Sequence, residues 1–170
     1  MPPQNESTSL WLWHQTGLLI TRHLQAFAVL NCTLATLFLG LFSLFLFLYL
    51  LLTPLYHVSI LYIAWHVYDY RTPARGGRRS EWVRRWAVWR YWRDYFPVSL
   101  VKTAELSPDR NYILVYHPHG IFASGVLIGL ATEALGVTDK FPGIRMTPAV
   151  LEFLLRLPLS REYVLALGKR

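Results

Sequence analysis

The residues in this chain best suited to chemistry are His117-Pro118-His119-Gly120. Imidazole is the side chain whose ordinary titration falls near neutrality. A neutral histidine can therefore take a proton from a substrate hydroxyl as general base. Pro118 restricts His117 to extended backbone, and residues two apart in an extended stretch point the same way. The spacing lets His117 and His119 face one pocket. Gly120 lets backbone approach a ligand, and free N–H groups at a following helix start could meet a developing oxyanion. His117 directly follows an apolar run and is favoured over His119 as the base. Two other readings stay open. One is a pair of surface turn histidines; the other is a zinc site, for which no cysteine or further histidine lies near.

Such a motif needs a scaffold. Tyr112-Ile-Leu-Val-Tyr116 reads as a buried strand running into His117. Ile121 to Leu135 reads as a helix, with Gly136 as its stop. A strand–turn–helix unit predicts an α/β domain with a parallel sheet, in which sites lie at the C-terminal ends of strands. Upstream, Val98 to Val101 reads as a short extended piece, and Leu106-Ser-Pro-Asp-Arg-Asn111 as a turn rich in breakers.

The first part of the chain is of another kind. Of the 170 residues, 54% are hydrophobic and only 16% charged, against roughly 25% charged in soluble chains. This excludes a disordered tail and argues against an ordinary cytosolic globule. One cysteine, Cys32, excludes an intrachain disulfide framework. No Asp, Glu, Lys or Arg occurs from His23 to Tyr68, a run of 46 residues. As one helix it would reach roughly 70 Å, over twice a bilayer core of about 30 Å. The favoured reading is a membrane hairpin over 24–68 with arms at 24–44 and 47–67, for which Gly40 and Pro54 offer breaks. The other reading is one span over 32–53 followed by an interfacial helix. A cleaved signal peptide fits poorly with the late start, the length and the lack of a small-residue cleavage site. His57 and His66 read as neutral groups near the headgroups or facing the partner helix, with a proton relay as the other reading.

The formal net charge of +7 is concentrated between Arg71 and Lys102. Positive charge marks the cytosolic side, so this block and, in the hairpin, residues 1–23 are expected in the cytosol. Residues 69–93 read as a basic linker and a Trp-rich helix. Pro73, Gly76 and Gly77 break the linker. Ser80 is a plausible N-cap, and Glu81 suits a first turn. Trp82, Trp86 and Trp89 fall on one helical face, with Arg84 opposite. The stripe suits a membrane interface, with Arg78 and Arg79 meeting lipid phosphates, or a helix packed on the domain core. Nucleic-acid binding, the rival reading of basic residues interleaved with aromatics, fits poorly beside so long an apolar segment. No dinucleotide fingerprint, phosphate loop, metal-ligand cluster or internal repeat is visible.

Tyr95-Phe96-Pro97, Lys102-Thr, Arg110-Asn-Tyr-Ile, His117-Pro118-His119-Gly120, Ala131-Thr-Glu133 and Phe141-Pro-Gly-Ile144 stand here in an ordered set. The set resembles the type 2 diacylglycerol acyltransferase family, which includes monoacylglycerol and wax-alcohol acyltransferases. The linker Thr72-Pro with Arg75-Gly-Gly-Arg-Arg-Ser-Glu-Trp82 looks most like the latter two branches. The resemblance implies an enzyme of the endoplasmic reticulum membrane, multi-pass, with its site toward the cytosol. It implies acyl transfer from acyl-CoA, a co-substrate rather than a cofactor, to a mono- or diacylglycerol or a long-chain alcohol. The His-Pro-His-Gly histidine would be the base, in a pocket built from the same motif blocks. Related glycerolipid acyltransferases place an acid after the base histidine with four residues between. Here Phe122 and Ser124 stand at those positions, so an orienting partner would come from elsewhere. Glu133 lies in a resembling block, and a solvated helix position reads equally well for it.

Family members are roughly twice this length. Residues 94–170 are therefore expected to form the N-terminal, incomplete part of an α/β glycerolipid-acyltransferase-like domain with one βα unit. A single strand cannot make a sheet. Two functions follow: an acyltransferase active in a longer form, or a non-catalytic membrane-anchored chain that associates with longer relatives as a homo- or hetero-oligomer. An unrelated lipid-interface binding protein is the third.

Overall fold

The computed structural model describes residues 4–117 and 123–169. Its helices are α1 (Gln4–Leu51), α2 (Tyr56–Tyr68), α3 (Glu81–Arg84), α4 (Ala87–Tyr95), α5 (Ser124–Gly129), α6 (Val137–Lys140), α7 (Glu152–Arg156) and α8 (Ser160–Ala166), with a short 3-10 turn at Pro73–Arg75.

α2 folds back on α1, but the two helices differ in bounds from the expected hairpin arms. α1 is continuous for 48 residues and passes through Gly40 without a break. Within it, Gln15–Leu51 is long and apolar enough to cross a membrane. The reversal comes at 52–55, around Pro54, whose ring and missing N–H stop the helix. α2 returns antiparallel along the end of α1. Ser59 Oγ donates to the Phe47 carbonyl at 2.9 Å, and the Phe47 and Tyr62 rings stack at 4.5 Å. With 13 residues, α2 reaches only about 20 Å.

Gly40 has a packing role instead. A Cβ built there would stand 2.9 Å from Leu157 Cβ and closer still to its Cδ1. Without one, the Leu157–Pro158 segment lies directly on α1, and Ser43 Oγ donates to the Pro158 carbonyl. Burial on α1 follows one stripe, Ala28, Cys32, Gly40 and Ser43, at helical spacing. The opposite face, including Phe27, Leu34, Phe38, Phe42 and Phe45, is exposed and mainly apolar.

The core joins α1 to the rest. Cys32 packs with Val83, Trp89 and Trp92 of the α3–α4 region, Leu127 and Ile128 of α5, and Leu167 just beyond α8. Ser80 caps α3, accepting from Val83 N at 3.4 Å. The expected single Trp-rich helix is broken, because Trp86 is extended (φ −56°, ψ 144°) and starts α4 anew. The three tryptophans therefore do not share a face. Trp82 is 73% exposed, whereas Trp89 is 1% exposed and donates its Nε1 hydrogen to the Val83 carbonyl at 2.6 Å.

The expected α/β sheet does not form: no strand occurs among the described residues. Tyr112–Tyr116 has no ladder partner there, and Ile113 is 94% exposed. Strand conformation needs a neighbour for its N–H and C=O groups, and no described segment takes that place. The expected Ile121–Leu135 helix also shortens, in its described part, to α5. Residues 131–135 turn instead around a buried arginine.

Candidate functional site

His117 is exposed and follows directly on the extended Tyr112–Tyr116 run. The proposed positions Pro118, His119 and Gly120 lie outside the described residues, as does Phe122. What the structure defines is their surroundings. Tyr116 and Ala123, close in sequence on either side of the motif, both line a cavity of about 510 Å³. Tyr112 and Leu114 form its first wall, Val126 and Leu130 of α5 its second, and 146–149 its third. Its side chains are mostly apolar, with tyrosines and Thr147 among them, although polar atoms share the lining. Such a cavity suits an aliphatic chain with few directed polar contacts. Gly125 keeps the first two walls close, because a Cβ there would come within 2.8 Å of Tyr116 Oη.

Glu133 is neither solvated nor free to act as an acid. Its Oε1 lies 2.6 Å from Arg84 Nη2 and 3.5 Å from Arg79 Nη2, and it accepts from Thr138 Oγ1 at 2.8 Å. Burial opposes its charge, but the hydrogen bonds from Arg84 and Thr138 outweigh that and hold the carboxyl below its usual range. Arg84, expected opposite the tryptophan stripe, is 0% exposed. Its guanidinium also donates to the carbonyls of Leu130 (3.4 Å), Ala131 and Leu167 (3.1 Å). One arginine thus ties α3 to the turn after α5 and to the chain beyond α8. Sequence spacing could not reveal this pair, since the partners are 49 residues apart.

The remaining predicted positions are placed as follows. Tyr95 and Phe96 are exposed, their rings edge to face at 4.8 Å, and Pro97 ends that segment. Trp82 and Trp86 also pack edge to face, at 5.0 Å. Arg78 pairs with Asp69 (2.9 Å) and Glu162 (2.7 Å) and lies over the Trp65 ring at 5.2 Å. Arg79 pairs with Glu81 and Glu133. Both arginines expected to meet lipid phosphates are thus engaged within the protein. A second buried pair, Arg161 with Asp69 at 2.7 Å, fixes α8 to the end of α2. No group of three or more metal-ligating side chains occurs among the described residues.

The chain thus joins a compact helical body to a helix long and apolar enough to cross a membrane, with a cavity beside the histidine-bearing segment. A family model described as Diacylglycerol acyltransferase matches residues 48–170, and the chain belongs to that family. It is 50% identical over 149 residues to Diacylglycerol O-acyltransferase 2 of Xenopus tropicalis, covering 88% of this chain and 41% of the relative. Against the protein of the same name from Homo sapiens it is 47% identical over 149 residues, 88% of this chain and 38% of the relative. Against 2-acylglycerol O-acyltransferase 3 of Homo sapiens it is 48% identical over 147 residues, 86% and 43%. The chain thus spans about two fifths of the length of these curated relatives. No solved structure matches it.

Proposed function

We propose that this chain carries the histidine-bearing part of an acyl-CoA-dependent O-acyltransferase that makes neutral glycerolipids in the endoplasmic reticulum membrane. The observation that carries the proposal is the apolar cavity walled by residues on both sides of the His-Pro-His-Gly segment. The acceptor is a mono- or diacylglycerol, in keeping with the names of its relatives, or a long-chain alcohol. His117 takes the proton of the acceptor hydroxyl. The oxygen attacks the thioester carbonyl, the C–S bond breaks, and coenzyme A leaves with a proton as its thiol. The ester product is uncharged and passes into the bilayer beside α1. The exposed Tyr112–Tyr116 edge is where a further strand would pair, completing an α/β sheet around the site.

The test is transfer of labelled acyl-CoA to monoacylglycerol, diacylglycerol and a long-chain alcohol in membranes containing the chain. His117→Ala is expected to lower transfer by about 10²-fold or more, and His119→Ala by less. Transfer untouched by either substitution would overturn the assignment. Absence of transfer from an inserted, intact chain favours the second reading, a membrane-anchored chain that acts with longer relatives. Its partial coverage of those relatives motivates that reading.

A further inference from the structure

A second cavity, of about 390 Å³, lies on another side of the Arg84 turn. Its lining includes Arg84, Arg85, Trp86, Arg90, Glu133 and Asp139. Arg84 and Glu133 neutralise each other on its floor. Arg85 and Arg90 are exposed and have no hydrogen-bond or ion-pair partner among the described residues. Arg84 Nε is buried without a hydrogen-bond partner there, with Glu81 Oε2 3.7 Å away. Asp139 is the one uncompensated acid in the lining, so the cavity keeps a net positive charge. Trp86, 36% exposed, adds an indole beside the two free guanidiniums.

We propose that this cavity binds the phosphate-bearing nucleotide end of coenzyme A. Guanidinium forks match phosphate oxygens in pairs of hydrogen bonds, an indole stacks on a purine, and Asp139 offers an acceptor to a ribose hydroxyl or adenine amino group. The volume falls within the range of small-molecule sites, about 300–1,000 Å³. Leu130 connects the two cavities: it lines the apolar one, and its carbonyl accepts from Arg84, which lines the charged one. A thioester donor could thus keep its nucleotide among the arginines and extend its acyl chain along α5 toward His117. The assignment rests on the reading that the donor is acyl-CoA.

The test uses the whole chain in detergent micelles and labelled coenzyme A, with 3′-phosphoadenosine 5′-diphosphate, inorganic phosphate and phosphatidylserine vesicles as competitors. 3′-Phosphoadenosine 5′-diphosphate should displace the label, and binding should weaken with salt. Arg85→Gln and Arg90→Gln should each weaken binding about tenfold, and Arg85→Lys less than Arg85→Gln. Arg75→Gln, an exposed arginine outside the cavity lining, should leave binding unchanged. Far-ultraviolet circular dichroism checks that each variant is folded. No displacement by 3′-phosphoadenosine 5′-diphosphate, equal losses in Arg75→Gln, or displacement only by vesicles would overturn the site, the last giving the arginines to a lipid headgroup. Its failure and that of the acyl-transfer reading are separable. Transfer that depends on His117 but keeps its KM for acyl-CoA in Arg85→Gln and Arg90→Gln removes the site alone. Coenzyme A binding with the expected variant pattern but no transfer removes the reaction alone.

Discussion

At the scale of single residues, the Arg84–Glu133 pair governs the region around the site. The two side chains are 0% and 9% exposed, 2.6 Å apart, and hydrogen-bonded on further atoms. Leaving one member of such a pair alone in the interior costs about 3–5 kcal/mol. Glu133→Gln should therefore lower stability by about that much in urea unfolding followed in micelles, and an apolar replacement of both members should recover most of it. The pH dependence follows from the direction of the Glu133 shift. Its folded-state value lies below the ordinary 4.5, so the unfolded chain binds the proton more tightly. The contribution is fully present above about pH 4.5 and is lost as pH falls through the lower folded-state value. The Glu133→Gln chain should show a flatter acid limb than the parent; an identical acid limb would show that another carboxylate governs it. Glu133 stood out in the sequence through its motif block, but its role did not. Helical spacing placed Arg84 opposite the tryptophans; the break at Trp86 instead puts Trp89 in the interior with Arg84 and leaves Trp82 outside.

At the scale of elements, one close contact seats the chain before α8 on α1. Gly40 admits Leu157 against α1. Gly40→Val would drive a branched side chain into Leu157, at an overpacking cost of about 1–3 kcal/mol. Residues 157–169 should then exchange amide hydrogens faster, while α2, anchored by Ser59 and Tyr62, keeps its protection. The tryptophans divide in the same spirit. Trp89→Ala should cost about 3–5 kcal/mol as a core truncation. Trp82→Ala should change stability by less than about 0.5 kcal/mol yet weaken partitioning onto lipid vesicles. Equal effects of the two substitutions would return both to a common face. Sequence patterning read the cap at Ser80, the linker breaks and the helical reversal, because each depends on one or two residues acting locally. It misread Gly40 as a break, since a helical glycine costs only about 1 kcal/mol and here is offset by a close contact. It also read Tyr112–Tyr116 as a buried strand. Apolar content can propose a strand, but only a pairing segment can complete one.

At the scale of the whole molecule, the outward face of α1 and the short return of α2 define how the chain meets a bilayer. The apolar helix Gln15–Leu51 is longer than a bilayer core requires, and α2 at about 20 Å is shorter than the roughly 30 Å core. Packing of Cys32 and Gly40 against the body commits one face of α1 to protein, leaving the other for lipid. The Asp69–Arg161 pair and the Asp69–Arg78 contact tie the end of α2 to the body. The hairpin topology expected from the sequence would leave both the N-terminus and the basic linker on one side, the one that positive charge marks as cytosolic. A protease added outside sealed microsomes should therefore remove an N-terminal epitope and also cut within 71–77. The native acceptor Asn5-Glu6-Ser7 supplies an internal check. It should remain unmodified, so that Asn5→Gln leaves the electrophoretic size unchanged. A protected epitope together with a size shift that Asn5→Gln abolishes would place the N-terminus in the lumen, and α1 would then cross the bilayer once with α2 lying at its surface.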